Sequence, residues 1–421
     1  MILAGLPAMV ALAGIAVWVL LSTGPDSAQL DAIRTGGTLG VGLGGAVALW
    51  LAVRRQRSAE LDLVQKHESH RLAEQVASDN RAYQLRTVED AREDALARRV
   101  TEQYGKAVDQ LGSERAPVRL GGLYALERLG QDHADPRLRQ MIADVTCAYL
   151  RMPADGSVEE AQVRRTAQQI IANHSRPGDD RQWPGLQLDL TGAQLDQADF
   201  DHCHFDQILF TRTTFTGIAS FAGTLFATRA GFIGAQFQGA ADLSGAKFAE
   251  EADFRGAECS DTADFSSARF AGARFDSAIF GEAKFDHAQF FGATSFTSTQ
   301  FAGRATFRQT EFRTSVTFEN AKFQNDVSLH GARFADLTSF AWAVFRRYAG
   351  FRETVFSVRA SFADAQFGHD VDFDAADCPG GADLSRAQAR VDHAVAVLHR
   401  WPPGWTAGDP ENGWAPLIPD R

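Results

Sequence analysis

From Leu190 to Leu384, apolar residues recur at intervals of only five or six: Leu190, Leu195, Phe200, Phe205, Phe210, Phe215, Phe221, Phe226, and on through Phe373 and Cys378. This spacing matches neither the two-residue alternation of a strand nor the 3.6-residue turn of an α-helix. Thirty of the 31 Phe lie on this comb, and the exception is Phe291. Two residues before a comb position the residue is usually small, as at Ala193, Ala198, Ala219, Ala246 and Ala365. Immediately before it Asp recurs, at Asp199, Asp253, Asp264, Asp372 and Asp383. A chain that turns every five residues points the comb residue and the small residue inward. Phe then fills the axis, with Phe200, Phe254, Phe265, Phe318, Phe340 and Phe362 as core positions. Asp before the core residue suits side-chain bonds to turn backbone, and a merely solvated acid is the alternative.

The six-residue steps carry a second signal. With Leu190 numbered zero, every such step leaves an odd comb position for an even one. Two expected extra residues are missing, between Phe270 and Phe275 and between Phe280 and Phe285. An even number of omissions keeps the parity. On a four-sided coil the extra residues would therefore stack at two opposite corners, with one interruption. The triplets Ala198-Asp199-Phe200 and Ala241-Asp242-Leu243 resemble the A-(D/N)-L-x-x consensus of the pentapeptide-repeat family, over about half the chain. That resemblance implies an all-β, right-handed quadrilateral β-helix, here over 186–390. About nine coils at roughly 4.8 Å each make a rod of about 43 Å. Phe replaces the family's usual Leu at most centres.

Ahead of the comb the pattern changes twice. Residues 1–25 and 35–53 carry no charged side chain. Each stretch is long enough to cross a hydrocarbon core of about 30 Å, which predicts a transmembrane α-hairpin over 1–55. Arg54, Arg55 and Arg57 follow the second stretch, so the positive-inside rule places both termini and the repeat domain in the cytoplasm of a multi-pass membrane protein. Gly36, Gly40 and Gly44 share one helix face and are candidates for close helix packing. Gly40, Gly42 and Gly45 also match G-x-G-x-x-G, but no strand–helix unit accompanies them.

No Gly or Pro occurs from Ala46 to Tyr104, which predicts a helical stalk over 56–103. Its stripe of Leu61, Val64, Leu72, Val76 and Tyr83 is broken by Glu68 and Asp79, fitting a weak coiled coil or a single helix. Residues 104–180 read as short amphipathic helices resembling a HEAT or armadillo pair. Pro117 opens one helix, with Gly130 as its stop. Asp135-Pro136 opens the next, and Ser157 with Glu160 forms a capping box for a third. The segment 391–421, with Trp401, Pro402, Pro403 and Trp405, is expected to cap the rod.

Charge and chemistry narrow the function. The net charge of −11 argues against direct nucleic-acid binding. Four cysteines rule out a disulfide scaffold. Cys259 and Cys378 take core positions and Cys203 a small inward one, where thiols are inert. His202 and His204 flank Cys203 but point the other way, so no metal or other cofactor is expected. No P-loop or nucleophile elbow is present, and enzymatic function is not supported. The leading expectation is a membrane-anchored, non-catalytic scaffold for an unidentified protein partner. It contacts the bilayer through residues 1–53, with self-association open through the membrane or stalk helices. The alternative is a DNA mimic binding DNA gyrase or another DNA-binding protein, as some members of the resembled family do. The candidate partner patch is Trp342, Arg346, Arg347 and Tyr348, outward in this register and rich in hot-spot residue types.

Overall fold

The computed structural model describes residues 5–23, 26–178, 181–391 and 399–420. The chain divides into two units, Met1–Ala97 and Arg98–Arg421. In the first, α1 spans Gly5–Thr23 and α2 spans Asp26–Leu111, the stretch from Arg98 on belonging to the second unit. The stretch 26–34, expected to connect two spans, is helical instead, because neither Gly nor Pro interrupts it before Gly36. Among the described residues no helix is long and apolar enough to cross a membrane. The transmembrane hairpin expected over 1–55 therefore has no support in the fold. As one element, α2 runs from the uncharged stretch into mixed-charge sequence. The side-chain environments of Gly36 and Gly40 lie outside the described residues. Gly44 is exposed, and a Cβ added to it would meet nothing within 4 Å. Leu61, Leu72, Val76 and Tyr83 are all exposed, and Val64 lies outside the described side chains.

Three helices follow in the second unit. Helix α3 (Ala116–Asp132) carries Pro117 in its first turn. Gly130 does not end it: a Cβ there would lie 2.5 Å from the Trp183 ring, so glycine allows that ring to pack flat on the helix. Helix α4 (Pro136–Arg151) is capped by Asp135, which accepts from the Arg137 amide. Helix α5 (Val158–Ser175) is capped by Ser157, which accepts from the Glu160 amide at 3.1 Å. The return half of the expected capping box is absent. Glu160 instead turns inward to Arg119 at 2.8 Å and accepts from Tyr149 Oη at 2.6 Å, while Asp155 takes the Ser157 amide. A buried carboxylate gains more from a guanidinium and a phenol than from one exposed amide. The three helices are pinned together at this point.

After the helices the chain winds as a β-solenoid of about nine turns. Consecutive coils pair in parallel and in register: Thr317 with Ser339, Phe323 with Phe345, Val327 with Ala349, Phe334 with Phe356. The core residues fall into four stacks. The first side runs Phe210, Phe232, Phe254, Phe275, Phe296, Phe318, Phe340 and Phe362. The second side passes through Phe301, Phe323 and Phe345, the third through Phe307, Leu329 and Phe351, and the fourth through Phe312, Phe334 and Phe356. Within a stack, rings lie parallel from coil to coil, as Phe296 on Phe318 at 4.6 Å and 0°. Between sides they meet edge to face, as Phe307 with Phe318 at 5.6 Å and 89°. Both are preferred aromatic geometries, so Phe can occupy most of the axis in a repeating arrangement.

The omitted residues leave a visible mark. The chain is bulged between Phe248 and Glu251 where it pairs with 269–274, and between Cys259 and Thr262 where it pairs with 279–284. In each case a six-residue corner faces a five-residue one. The stacking loosens there, with Phe280 and Phe301 5.6 Å apart at 21°. Asp before a core residue caps the following turn: Asp199, Asp253, Asp264, Asp372 and Asp383 each accept from the amide two residues on, at 2.9–3.3 Å. Several small inward positions hold Thr rather than Ala. Thr299 and Thr310 satisfy their hydroxyls on the carbonyls of Phe275 and Phe285, both at 2.8 Å.

Both ends of the rod are covered. At the start, α4 and α5 lie on the first coil through reciprocal bonds between Gln140 and the Gln187 backbone and through ion pairs Arg151–Asp189 and Arg165–Asp196. At the end, His399–Arg400 pairs with Val371–Asp372, and Trp414–Pro416 pairs antiparallel with Gln388–Arg390. Trp401 meets Phe367 edge to face and Trp405 Nε1 donates to the Ala382 carbonyl at 2.8 Å. Covering both termini removes the free sheet edges a solenoid would otherwise expose.

Candidate interaction surface

Every first-side and third-side core residue from Phe221 to Leu384 is followed, two positions on, by a residue in the left-handed region, with φ between 55 and 67° except at Gln309, where it is 53°. Most of these are Gly, Ser, Asn or Asp, whose short or absent side chains fit there. Trp342 occupies the same position at φ +56° with 52 % of its surface exposed. A large aromatic in this conformation costs about 1 kcal/mol or more relative to glycine. The residue is strained and exposed.

The expected patch divides between two corners. Trp342 lies at the corner joining the first and second sides. Arg346, Arg347 and Tyr348 lie at the next corner, joining the second and third sides, beyond the strand Val344–Phe345. Arg346 and Arg347 are exposed. Tyr348 is half-buried and folds over the third side, its ring 2.7 Å from where Gly350 would carry a Cβ. Burial, and then the Asp372 carboxylate, push its phenol pKa upward. Register places each residue on the surface, but the side-chain direction of Tyr348 depends on the glycine of its own coil.

Two shallow hollows mark the middle of the rod. One, about 670 Å³, lies on the first side over a ladder of Ser295, Thr317, Ser339 and Ser361. The other, about 440 Å³, lies on the third side and is lined by Arg304, Arg308, Asp326, Ser328, His330, Tyr348 and Arg352. In the second hollow no hydrogen bond among the described residues links Ser328 to His330. Among the described residues no three His, Cys, Asp or Glu side chains come together as for a metal. Burial pushes Cys203 and Cys259 up to about 12 and Cys378 to about 11, so all three stay protonated thiols near neutral pH.

One buried carboxylate has a pH consequence. Asp253 is fully covered and bonded to Arg229 at 2.7 Å and Arg255 at 2.8 Å. Burial raises its pKa, but the two guanidinium groups outweigh that and hold it below the ordinary carboxylate value. Its contribution to stability is therefore complete above the unfolded value of about 3.9 and is lost as pH falls through the depressed folded one. Thermal melts of wild type and Asp253→Asn should differ most near neutral pH and converge in acid, once the pH has fallen through the depressed carboxylate.

Family models match part of the solenoid. Residues 210–258, 232–272, 254–300 and 296–341 match the family described as pentapeptide repeats in nine copies, and residues 189–218 the eight-copy form. Residues 189–341 are thus a stretch of pentapeptide repeats. A solved relative is HetL, a pentapeptide repeat protein involved in heterocyst differentiation regulation in the cyanobacterium Nostoc. It is 17 % identical, with 47 % of this chain and 88 % of HetL covered and a TM-score of 0.17. No curated protein matches.

Proposed function

We propose that this chain is a non-catalytic scaffold that presents the outer faces of a rigid rod to a protein partner. The observation that carries the reading is Trp342: a strained, half-exposed aromatic on a rod whose comb phenylalanines are all buried. Hot spots favour Trp and Arg because they join large apolar area to directed polar groups. The uncharged stretches 1–25 and 35–53 support an anchor at a bilayer through the N-terminal helices. The DNA-mimic alternative is less well supported, since carboxylates such as Asp253, Asp364 and Asp383 are tied to arginines rather than arrayed freely.

The test is a quantitative pull-down from cells with the full chain, wild type against Trp342→Ala and Arg347→Glu. The expected result is at least a tenfold loss of one specific partner with unchanged thermal midpoints. Equal recovery of every partner by wild type and both variants would remove the patch from the interaction.

A further inference from the structure

Charge is not spread evenly along the rod. Residues 296–361, three successive coils, carry nine Lys and Arg against five Asp and Glu. Residues 186–295 carry seven against fifteen, and residues 362–390 two against six. A net-positive band thus sits between two net-negative segments. The fold concentrates part of that band on the third side. Arg304, Arg308 and Arg352 surround the 440 Å³ hollow with His330, Ser328 and Tyr348, and Asp326 is the one carboxylate in its lining. Arg346 and Arg347 project from the corner beside it. Arg304 is loosely paired with Asp326 at 3.9 Å, and Arg352 with Glu353 and Asp374 at 3.5 and 3.6 Å. Among the described residues, Arg308, Arg346 and Arg347 have no carboxylate within ion-pair distance.

We propose that this third-side basin docks a short acidic segment of a partner protein. The proposal rests on the scaffold reading and names the partner's chemistry. Charge sign calls for carboxylates. The flanks set the length: Asp264, Glu282 and Asp286 precede the basin on the third side, and Asp372 and Asp374 follow it. Three coils span about 14 Å at 4.8 Å each, room for roughly four extended residues. Duplex DNA carries a charge about every 1.7 Å, so a continuous polyanion would run over the acidic coils on both sides. A short acidic peptide does not. Tyr348 closes over Gly350 and forms part of the basin's lining.

The experiment measures binding of a fluorescein-labelled peptide of four glutamates flanked by Gly-Ser to the full chain, by anisotropy. Binding is expected at low salt and should weaken steeply as salt rises. Arg304→Glu with Arg308→Glu should reduce affinity at least tenfold. Arg386→Glu, outside the band and paired with Asp364, should change it less than twofold. Circular dichroism confirms folding, and Arg304→Ala with Arg308→Ala should show a smaller loss in the same direction. No binding at low salt, or equal losses in the Arg386 variant, would overturn the proposal. So would phosphatidylglycerol vesicles or duplex DNA displacing the peptide more effectively than unlabelled peptide through the same arginines. The peptide reads the basin and the pull-down reads the scaffold, so either can fail alone.

Discussion

Phe318→Asp is expected to unfold the rod, wholly or over several coils. Phe318 is completely buried, stacked on Phe296 at 4.6 Å and on Phe340 at 4.7 Å, with Phe307 edge-on. Truncating a buried Phe costs about 3–5 kcal/mol. Asp adds an unpaired carboxylate in an axis lined by aromatic rings, where no donor can reach it. In a solenoid each coil is held by its neighbours, so the break separates the two halves of the stack. The contrast is Arg313→Asp on the adjoining outer surface. Arg313 lies over the Phe291 ring at 4.4 Å and pairs with Glu311 at 3.3 Å. Reversing it loses a cation–π contact and an exposed ion pair, about 1 kcal/mol together. Equal thermal midpoints for these two variants would mean that the inward and outward faces are misassigned.

Gly292→Ala should be the second most damaging single change, although it adds only a methyl group. A Cβ at Gly292 would lie 1.9 Å from the Ala271 carbonyl oxygen and 3.0 Å from its carbon. Both are backbone atoms of the preceding coil, at the corner that lacks its extra residue. No rotamer relieves the clash, so the coils must part at the bulge, at a cost of about 2–3 kcal/mol. Gly256→Ala is the matched comparison. Gly256 has φ +62° and nothing within 4 Å of an added Cβ, so its cost is only left-handed strain, about 1 kcal/mol. Chemical denaturation of both variants gives the order. A Gly292 variant as stable as the Gly256 variant would show that the five-residue corner is not closely packed.

These two cases also separate what could be read from the residues from what could not. The inward comb follows from spacing, while the four sides follow from the resemblance to the pentapeptide-repeat consensus, with which the parity of the six-residue steps agrees. The parity of the six-residue steps then locates the interrupted corners at Phe270–Phe275 and Phe280–Phe285, where the bulges lie. The capping role of Asp follows from its place before the turn. The positive φ two positions after each first-side and third-side core residue was visible as Gly, Ser and Asn in that column, but Trp342 and Arg386 hide it.

Other features depend on atoms from different coils or elements. Gly130 reads as a helix stop, yet serves Trp183, distant in sequence. Glu160 reads as half of a capping box, yet is claimed by Arg119 and Tyr149. Residues 26–34 read as a connection, yet helix propagation through a stretch free of Gly and Pro carries on across them. The sequence by itself determined the period and the core, because these depend on burial repeated every few residues. Only the tertiary structure decided which arginines share a surface, because Arg352 lies two coils beyond Arg304 and Arg308 and joins them on one face only when successive turns of 22 residues close.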